Sequence, residues 1–298
     1  MEHILQKSMI VLELVIIYGI GFQKVFGGKN AIDYLIQVEG YTFLEATQIL
    51  MEKTQNQKLT FYNNLDENVI KKDFILPLKN NNYDKTIAYL TKRGIDKDII
   101  GECIKNNLIY EEKDTHNAVF VGYDKNKNPR YAFCRGTSEK RFMKEAKGSD
   151  KKYSFRLNFA NKSNRVHLFE SSIDLLSYAT LMKIKNLDFR KENLLSLAGV
   201  YAINSEKSKN NKLQISVKNF LEENSNITEI FLHLDNDEVG RIASKNLQEV
   251  LSKKYTVIDK PVPYGKDCND YLCYVLEIKN CNKNANEKVL KGNNLLAR

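Results

Sequence analysis

The sequence predicts an α/β protein in which a mostly parallel sheet flanked by helices follows a smaller, basic α+β lobe. Three observations carry this expectation. From Val166 to Ile278, short apolar runs alternate with amphipathic stretches, a β-α-β-α rhythm that implies a parallel sheet covered on both faces. Residues 117–135 alternate like two strands about a turn at Asp124–Pro129, the pattern of a β-hairpin. Two apolar runs end in acids: Val166-His-Leu-Phe169 runs into Glu170, and Ile230-Phe-Leu-His-Leu234 into Asp235-Asn-Asp237. Ligands of open α/β sheets gather where strands end at such an edge.

Residues 1–26 are apolar and carry no readable turn pattern. Their longest apolar run, Met9 to Phe22, is short for a membrane span and contains Glu13, so no membrane association is expected. Gly27-Gly28 then turns the chain into a helix through Ile32, Leu35 and Ile36. Thr42 and Glu45 form a capping box for a second helix, whose inward positions are Ala46, Ile49 and Leu50. Residues 51–83 are rich in Asn, Lys and Gln and read as a linker, extended around Pro77.

Helices are expected from Asp84 to Arg93, with Ile87, Tyr89 and Leu90 in register, and around Lys97–Asn106. The hairpin, Ala118–Val121 and Tyr131–Cys134, leads into a basic segment: Arg135, Lys140, Arg141, Lys144, Lys147, Lys151, Lys152 and Arg156, with Tyr153 and Phe155 interleaved. The main sheet follows as strand 166–169, helix 172–184, strand 194–198, helix 213–222, strand 229–234, helix 238–253, strand 256–262 and helix 270–278. The boundaries are therefore 1–50, a linker at 51–83, a basic lobe at 84–160, the main α/β domain at 161–280 and a flexible basic tail at 281–298.

Forty-six Lys and Arg against 37 Asp and Glu leave a net charge of +9, which points to an anionic partner, nucleic acid before membrane. An Asn/Lys-rich composition alone would also give a basic chain. The five cysteines (103, 134, 268, 273 and 281) form no Cys-x-x-Cys pair and have no histidine at metal-ligand spacing. No zinc and no disulfide is expected, and a reducing cytoplasm is the expected location.

Asp235 and Asp237, alternate residues at one sheet edge, can aim at one cation, and Glu170 at a second strand end completes a hard-cation site suited to Mg²⁺. Asp174 lies one helical turn beyond Glu170 and can face the same cleft. Asp267 follows Pro263-Tyr-Gly265-Lys266 at a strand-to-helix turn. Each acid also has an ordinary role open to it: Glu170 and Asp237 as helix caps, Asp174 as an exposed helix acid, Asp267 as a turn former. The metal-site reading requires the three strand-end carboxylates to converge, and burial of any of them against a lysine would oppose it. The basic segment is either a solvated face or a nucleic-acid groove whose aromatics stack on bases. His233 reads as a packed or edge strand residue without a catalytic part, and Asp259, Glu192 and Glu222 as solvated surface. Neither a P-loop nor a dinucleotide-binding glycine motif occurs.

Val166–Glu170-Ser-Ser-Ile-Asp174, Leu195-Ser-Leu-Ala-Gly199, Leu234-Asp235-Asn-Asp237-Glu-Val-Gly240 and Gly265-Lys-Asp267-Cys-Asn-Asp270-Tyr-Leu resemble the toprim domain, a fold shared by bacterial DnaG-type primases, topoisomerases and some nucleases. Ile87-Ala-Tyr-Leu-Thr-Lys-Arg-Gly-Ile95, Asn117–Asp124, Cys134-Arg-Gly136 and Gly148–Phe155 look like the opening helix and basic lobe of a primase core. The layout is most similar to an uncharacterised domain plus toprim found in primase-like proteins of plasmids and conjugative elements. Gly27–Leu35 and Thr42–Ala46 resemble the tail of a primase zinc ribbon, here a degenerate remnant, since no cysteine precedes Cys103.

The resemblance implies Mg²⁺ or Mn²⁺ held by Glu170, Asp235 and Asp237, with Asp174 and Asp267 as further acids. It also implies Arg135 and Lys151 or Lys152 at the template or at nucleotide phosphates; Arg141 and Lys144 belong to the same basic segment. The activity implied is synthesis of short RNA primers on single-stranded DNA, with a replicative helicase as a further partner. A toprim nuclease and a non-catalytic DNA-binding remnant stay open. Two departures stand out: Ser171 follows the glutamate where primases commonly have Gly, and Asn269 stands where a further acid often lies.

Overall fold

The structure, a computed structural model, describes residues 73–138, 142–158, 163–198 and 213–278, with scattered positions between 35 and 49. The chain divides into two units, Met1–Val69 and Ile70–Arg298. In the first, Leu35 and Ala46 are buried and pack with Ile36 and Ile49, the spacing read from the sequence. The Gly27-Gly28 turn, Thr42 and residues 51–72 lie outside the described residues.

The second unit opens with an extended stretch around Pro77. Ile75 N–H donates to the Lys147 carbonyl at 3.0 Å, the Tyr110 hydroxyl donates to the Pro77 carbonyl at 2.5 Å, and Lys79 bridges to Glu112. Residues 73–83 are thus laid against the lobe that follows. Helices α1 (Asp84–Lys92) and α2 (Lys97–Lys105) come next. Asp96 starts α2 by accepting from the N–H groups of Asp98 and Ile99, satisfying donors that the helix cannot pair itself.

A four-stranded antiparallel sheet follows in spatial order β1 (Ile109–Glu111), β2 (Ala118–Tyr123), β3 (Pro129–Arg135), β4 (Met143–Glu145). The hairpin is β2–β3. The two outer strands went unread because each has three residues, too few to show a period, and β4 lies inside the charge run. A short 3-10 turn (Lys151–Tyr153) leads to β5 (Arg156–Leu157).

The main sheet has the order β5-β7-β6-β8-β9, comprising β6 (Arg165–Phe169), β7 (Asn193–Ser196), β8 (Glu229–His233) and β9 (Thr256–Asp259). All its pairs are parallel except that of β5 at the edge. Helices α3 (Ser172–Ile184), α4 (Ile215–Glu223), α5 (Glu238–Leu251) and α6 (Cys268–Val275) connect and cover it. On one face, Val166, Leu168, Ile230 and Leu232 pack with α4 and α5. On the other, Phe169 packs with α3, α6, α1, α2 and the buried side chains Phe120 and Phe155 of the preceding lobe. The chain leaves β6 towards β7 on one side and leaves β8 towards β9 on the other. A crevice therefore opens between the carboxyl ends of β6 and β8, where open sheets bind ligands.

The structure corrects four expectations. Phe155 cannot stack on a base: it is fully buried, edge-on to Phe120 with ring centroids 5.4 Å apart. Arg156 is tied into the fold by Glu223 at 2.9 Å and the Tyr123 carbonyl at 2.9 Å. Glu192 is not surface; it is buried, paired to Arg165 at 2.6 Å beside buried His167. Cys273 is joined in a disulfide, against the expectation of none, because proximity in the fold rather than spacing in the sequence decides a bridge. Cys103, Cys134 and Cys268 are free and buried. His233 is packed as expected, its Nε2 2.9 Å from His167 Nδ1. Among the described residues no helix is long and apolar enough to cross a membrane.

Candidate active site

Strand register builds the site. Phe169 of β6 pairs with His233 of β8, so Glu170 and Asp235 leave the sheet side by side. Glu170 Oε1 accepts the Asp235 backbone N–H at 3.1 Å. The turn after β8 is held from behind by Arg241, which donates to the Leu234 carbonyl at 2.6 Å, the Asp235 carbonyl at 2.9 Å and Asp259 at 2.9 Å. Asp237 caps α5, accepting from Gly240 N–H at 2.9 Å. The motif glycine has a steric reason: a Cβ on Gly240 would lie 2.3 Å from the Asp235 carbonyl oxygen and 2.8 Å from Glu170 Oε1. Gly240→Ala is accordingly expected to force these two acids apart, at about 1–3 kcal/mol of overpacking. Unchanged thermal unfolding and unchanged activity in this variant would count against the packing described.

Asp174 is buried on the first turn of α3. Ser171 starts that helix: its hydroxyl accepts from Asp174 N–H at 3.2 Å and donates to Asp174 Oδ2 at 2.5 Å. Serine in place of the common glycine is therefore a helix cap that also holds an acid. Asp267 caps α6 through Asp270 N–H at 2.8 Å; Asp237 and Asp267 thus fill the cap and turn roles open to them, whereas Glu170 yields its cap role to Ser171 and Asp174 is buried rather than exposed. Asn269 is buried, and its amide donates to the Arg93 carbonyl at 2.9 Å and Ser177 Oγ at 3.0 Å, while its oxygen accepts from Arg93 at 2.9 Å. The missing acid is thus a structural amide joining α1, α3 and α6.

Burial and mutual repulsion set the protonation of the group. Desolvation, then the Asp235 charge, push Glu170 up to about 7. Desolvation, then Asp270, push Asp267 up to about 6. Asp235 is raised by burial, and Asp174 is raised well above the carboxylate range by burial and by Asp267. Asp237 is lowered: its hydrogen bond from Gly240 and its contact with Lys266 outweigh desolvation. An acid whose folded pKa is raised costs stability as pH climbs from its unfolded value, and the loss is complete once pH passes the folded value. In chelator, Glu170→Gln is expected to match the wild type near pH 4, draw ahead between about pH 4.5 and 7, and exceed it at pH 8 by about 2–3 kcal/mol, read as unfolding temperature. Identical pH profiles would refute this.

Lys266 stands between the two aspartates, its Nζ 2.9 Å from Asp235 Oδ2 and 3.1 Å from Asp237 Oδ2. Its own side chain is 52% exposed, but that of Asp235 is buried against it at 11%, the arrangement that counts against the metal-site reading. Among the described residues, no three His, Cys, Asp or Glu side chains are drawn together closely enough to hold a metal ion as they stand. Sequence reasoning passed over Lys266, although its place in Gly-Lys-Asp was the available signal.

The acids floor one side of a cleft of about 790 Å³, shared by Glu170, Asp174, Asp235, Lys266 and Asp267. The facing wall is Tyr89, Arg93, Phe133, Arg135, Phe142 and Met143. Arg135 is steadied by its Nε donating to the Tyr89 hydroxyl at 3.1 Å. Of the other basic residues expected at nucleic acid, Lys144 is exposed but pairs in register with Cys134, which places it on the sheet face opposite Arg135. Lys151 pairs with Glu145 at 3.0 Å, and Lys152 is exposed beside it. Arg141 lies outside the described residues. Arg93 joined the cleft without having been singled out, and Tyr89, read as part of the apolar register of its helix, also lines it and accepts from Arg135.

Residues 167–272 match the family described as Toprim-like, and residues 88–163 match a family described as a protein of unknown function, DUF3991. No curated protein matches the chain. Among solved structures, the chain is similar to the primase fragment of the bacteriophage T7 primase-helicase, at 22% identity over 64% of this chain and 70% of that one, with a TM-score of 0.42. It is similar to the E. coli primase catalytic core at 12% identity, 64% and 69% coverage and a TM-score of 0.41. For the Aquifex aeolicus primase, zinc-binding and RNA polymerase domains, the values are 13%, 84%, 69% and 0.39.

Proposed function

We propose that this chain, with its toprim-like domain, is a primase-like nucleotidyltransferase that makes short RNA primers on single-stranded DNA. One observation carries the reading: Glu170 and Asp235, 65 residues apart in sequence, meet at a single hydrogen bond in the crevice, with Asp174 and Asp267 lining the same cleft. Carboxyl groups pushed up by burial and by one another are a donor set that a divalent cation would relieve. Glu170, Asp235 and Asp237 would hold Mg²⁺ or Mn²⁺, with Asp174 and Asp267 supporting. Bound there, such ions activate an attacking hydroxyl and steady a leaving pyrophosphate.

The remaining work falls to the chain itself. Arg135, always charged and held at Tyr89, presents a planar guanidinium to phosphate oxygens across the cleft from the acids. Tyr89, Phe133 and half-exposed Phe142 offer faces on which bases can stack. Lys151 and Lys152, at the same lobe, would attract the backbone of the template; Arg141 would act with them. A cleft of about 790 Å³ is in the range that takes a nucleotide-sized ligand. A replicative helicase is the proposed partner in the cell, in the replication of a mobile element in the cytoplasm.

The test is incorporation of labelled ribonucleotides on single-stranded DNA with Mg²⁺ or Mn²⁺, alone and with a helicase. Folded protein that makes no product under either condition would remove the activity. A second reading, a DNA-binding remnant without catalysis, draws support from the ion pairs of Lys266 with Asp235 and Asp237. It predicts salt-sensitive DNA binding that Asp235→Asn leaves intact and no product from either protein. Cleavage of labelled DNA with Mn²⁺ in the same assay would instead indicate a toprim nuclease.

A further inference from the structure

We propose that Lys266 is a built-in occupant of the cation position, holding Asp235 and Asp237 together in the metal-free protein and giving way to the divalent ion. This rests on the metal-binding part of the reading above and goes beyond it by making metal entry an exchange with a named side chain.

The backbone around Lys266 is fixed from both sides. Asn236, the residue between the two aspartates, donates its N–H to the Lys266 carbonyl at 2.7 Å and its side-chain amide to the carbonyls of Val262 and Gly265, each at 3.0 Å. Lys266 N–H donates to Asp270 Oδ2 at 3.1 Å. Gly265 sits at φ +84, where a Cβ would also lie 2.6 Å from Asp270 Cβ, so the turn that delivers the lysine requires glycine. The strand-end aspartates and the lysine backbone thus form one clamped unit.

The ammonium, by contrast, is reached through a flexible stem that is 52% exposed and lines the open cleft. It contacts one oxygen of each aspartate. A lysine is a point charge on a four-carbon tether, whereas an arginine fork locks geometry. The same turn shows the contrast: Arg241 donates to two backbone carbonyls and Asp259 and is built in, while the Lys266 ammonium pairs with carboxylate oxygens, the ligands a hard cation takes. Rotation of its side chain into the cleft frees both carboxylates with no change of backbone.

Exchange predicts that removing the lysine tightens metal binding. Full-length wild type, Lys266→Gln and Lys266→Arg are titrated with Mn²⁺ and free ion is read by electron paramagnetic resonance, with no nucleotide present. Lys266→Gln is expected to bind Mn²⁺ about tenfold more tightly, the size of effect set by about 1.4 kcal/mol, and Lys266→Arg no more tightly than wild type. In chelator, Lys266→Gln is expected to unfold at a lower temperature than wild type, and saturating Mn²⁺ is expected to close that gap. Equal or weaker Mn²⁺ binding by Lys266→Gln overturns the exchange, as does the absence of Mn²⁺ binding in every variant. A protein that makes no primer yet shows the tighter binding leaves the exchange standing and removes only the polymerising activity.

Discussion

Asp235→Asn is expected to lower the proposed primer synthesis by on the order of 10³-fold, because a cation held there would stabilise developing charge by several kcal/mol and each 1.4 kcal/mol is a factor of ten. The substitution keeps the shape of the side chain and removes the charge. The contacts that shape the turn, Glu170 to Asp235 N–H and Arg241 to the Asp235 carbonyl, use the backbone and survive it. The fold should therefore persist, with relief of repulsion on Glu170 and loss of the Lys266 ion pair acting on stability in opposite directions in chelator. The check pairs steady-state nucleotide incorporation with thermal unfolding and DNA binding. Activity within a few-fold of wild type in a folded variant would show that the acid pair does not hold the metal.

The largest expected effect on stability comes from Asn269→Asp. The asparagine amide supplies two buried donors, to the Arg93 carbonyl and Ser177 Oγ, beside the Asp174 carboxyl that its backbone N–H also meets at 3.4 Å. A carboxylate keeps only the bond to the Arg93 guanidinium, faces a carbonyl oxygen and adds charge next to Asp174. Losing buried partners in this way costs about 2–4 kcal/mol, or roughly 5–15 °C in unfolding temperature for a body of this size. An unaltered melt would show that the amide is not the tie described. The result bears on the departure noted in the sequence: adding an acid where the primases it resembles often have one is expected to weaken this protein rather than complete the proposed metal site.

Much of the architecture was legible from periodicity. The four parallel strands and their helices were visible because each strand is an apolar run and each helix carries an inward stripe. The acids were visible because they interrupt those runs where the strands stop. Less legible was anything set by meetings between distant segments. Phe155 looked available because charged residues surround it in sequence, yet the same stretch delivers it into the core against Phe120. Glu192 looked like surface, but the edge of the sheet brings Arg165 and His167 onto it. Lys266 was read as part of a turn, and only the folded turn shows that its ammonium lies between Asp235 and Asp237. Ser171 and Asn269 looked like losses from a motif; in the fold each satisfies hydrogen bonds that a glycine or an acid would not.

The apolar cluster that runs from Leu90, Ile99 and Phe120 through Phe155 to Leu175, Leu176 and Leu272 ignores the boundary drawn near residue 160. Each part also keeps a cluster of its own, yet this one closes only where the basic lobe and the toprim-like domain meet. Dissecting the protein there would expose a raw hydrophobic face on each fragment, so separately produced halves should be insoluble, and recombination or evolution would have to trade this pair as one piece.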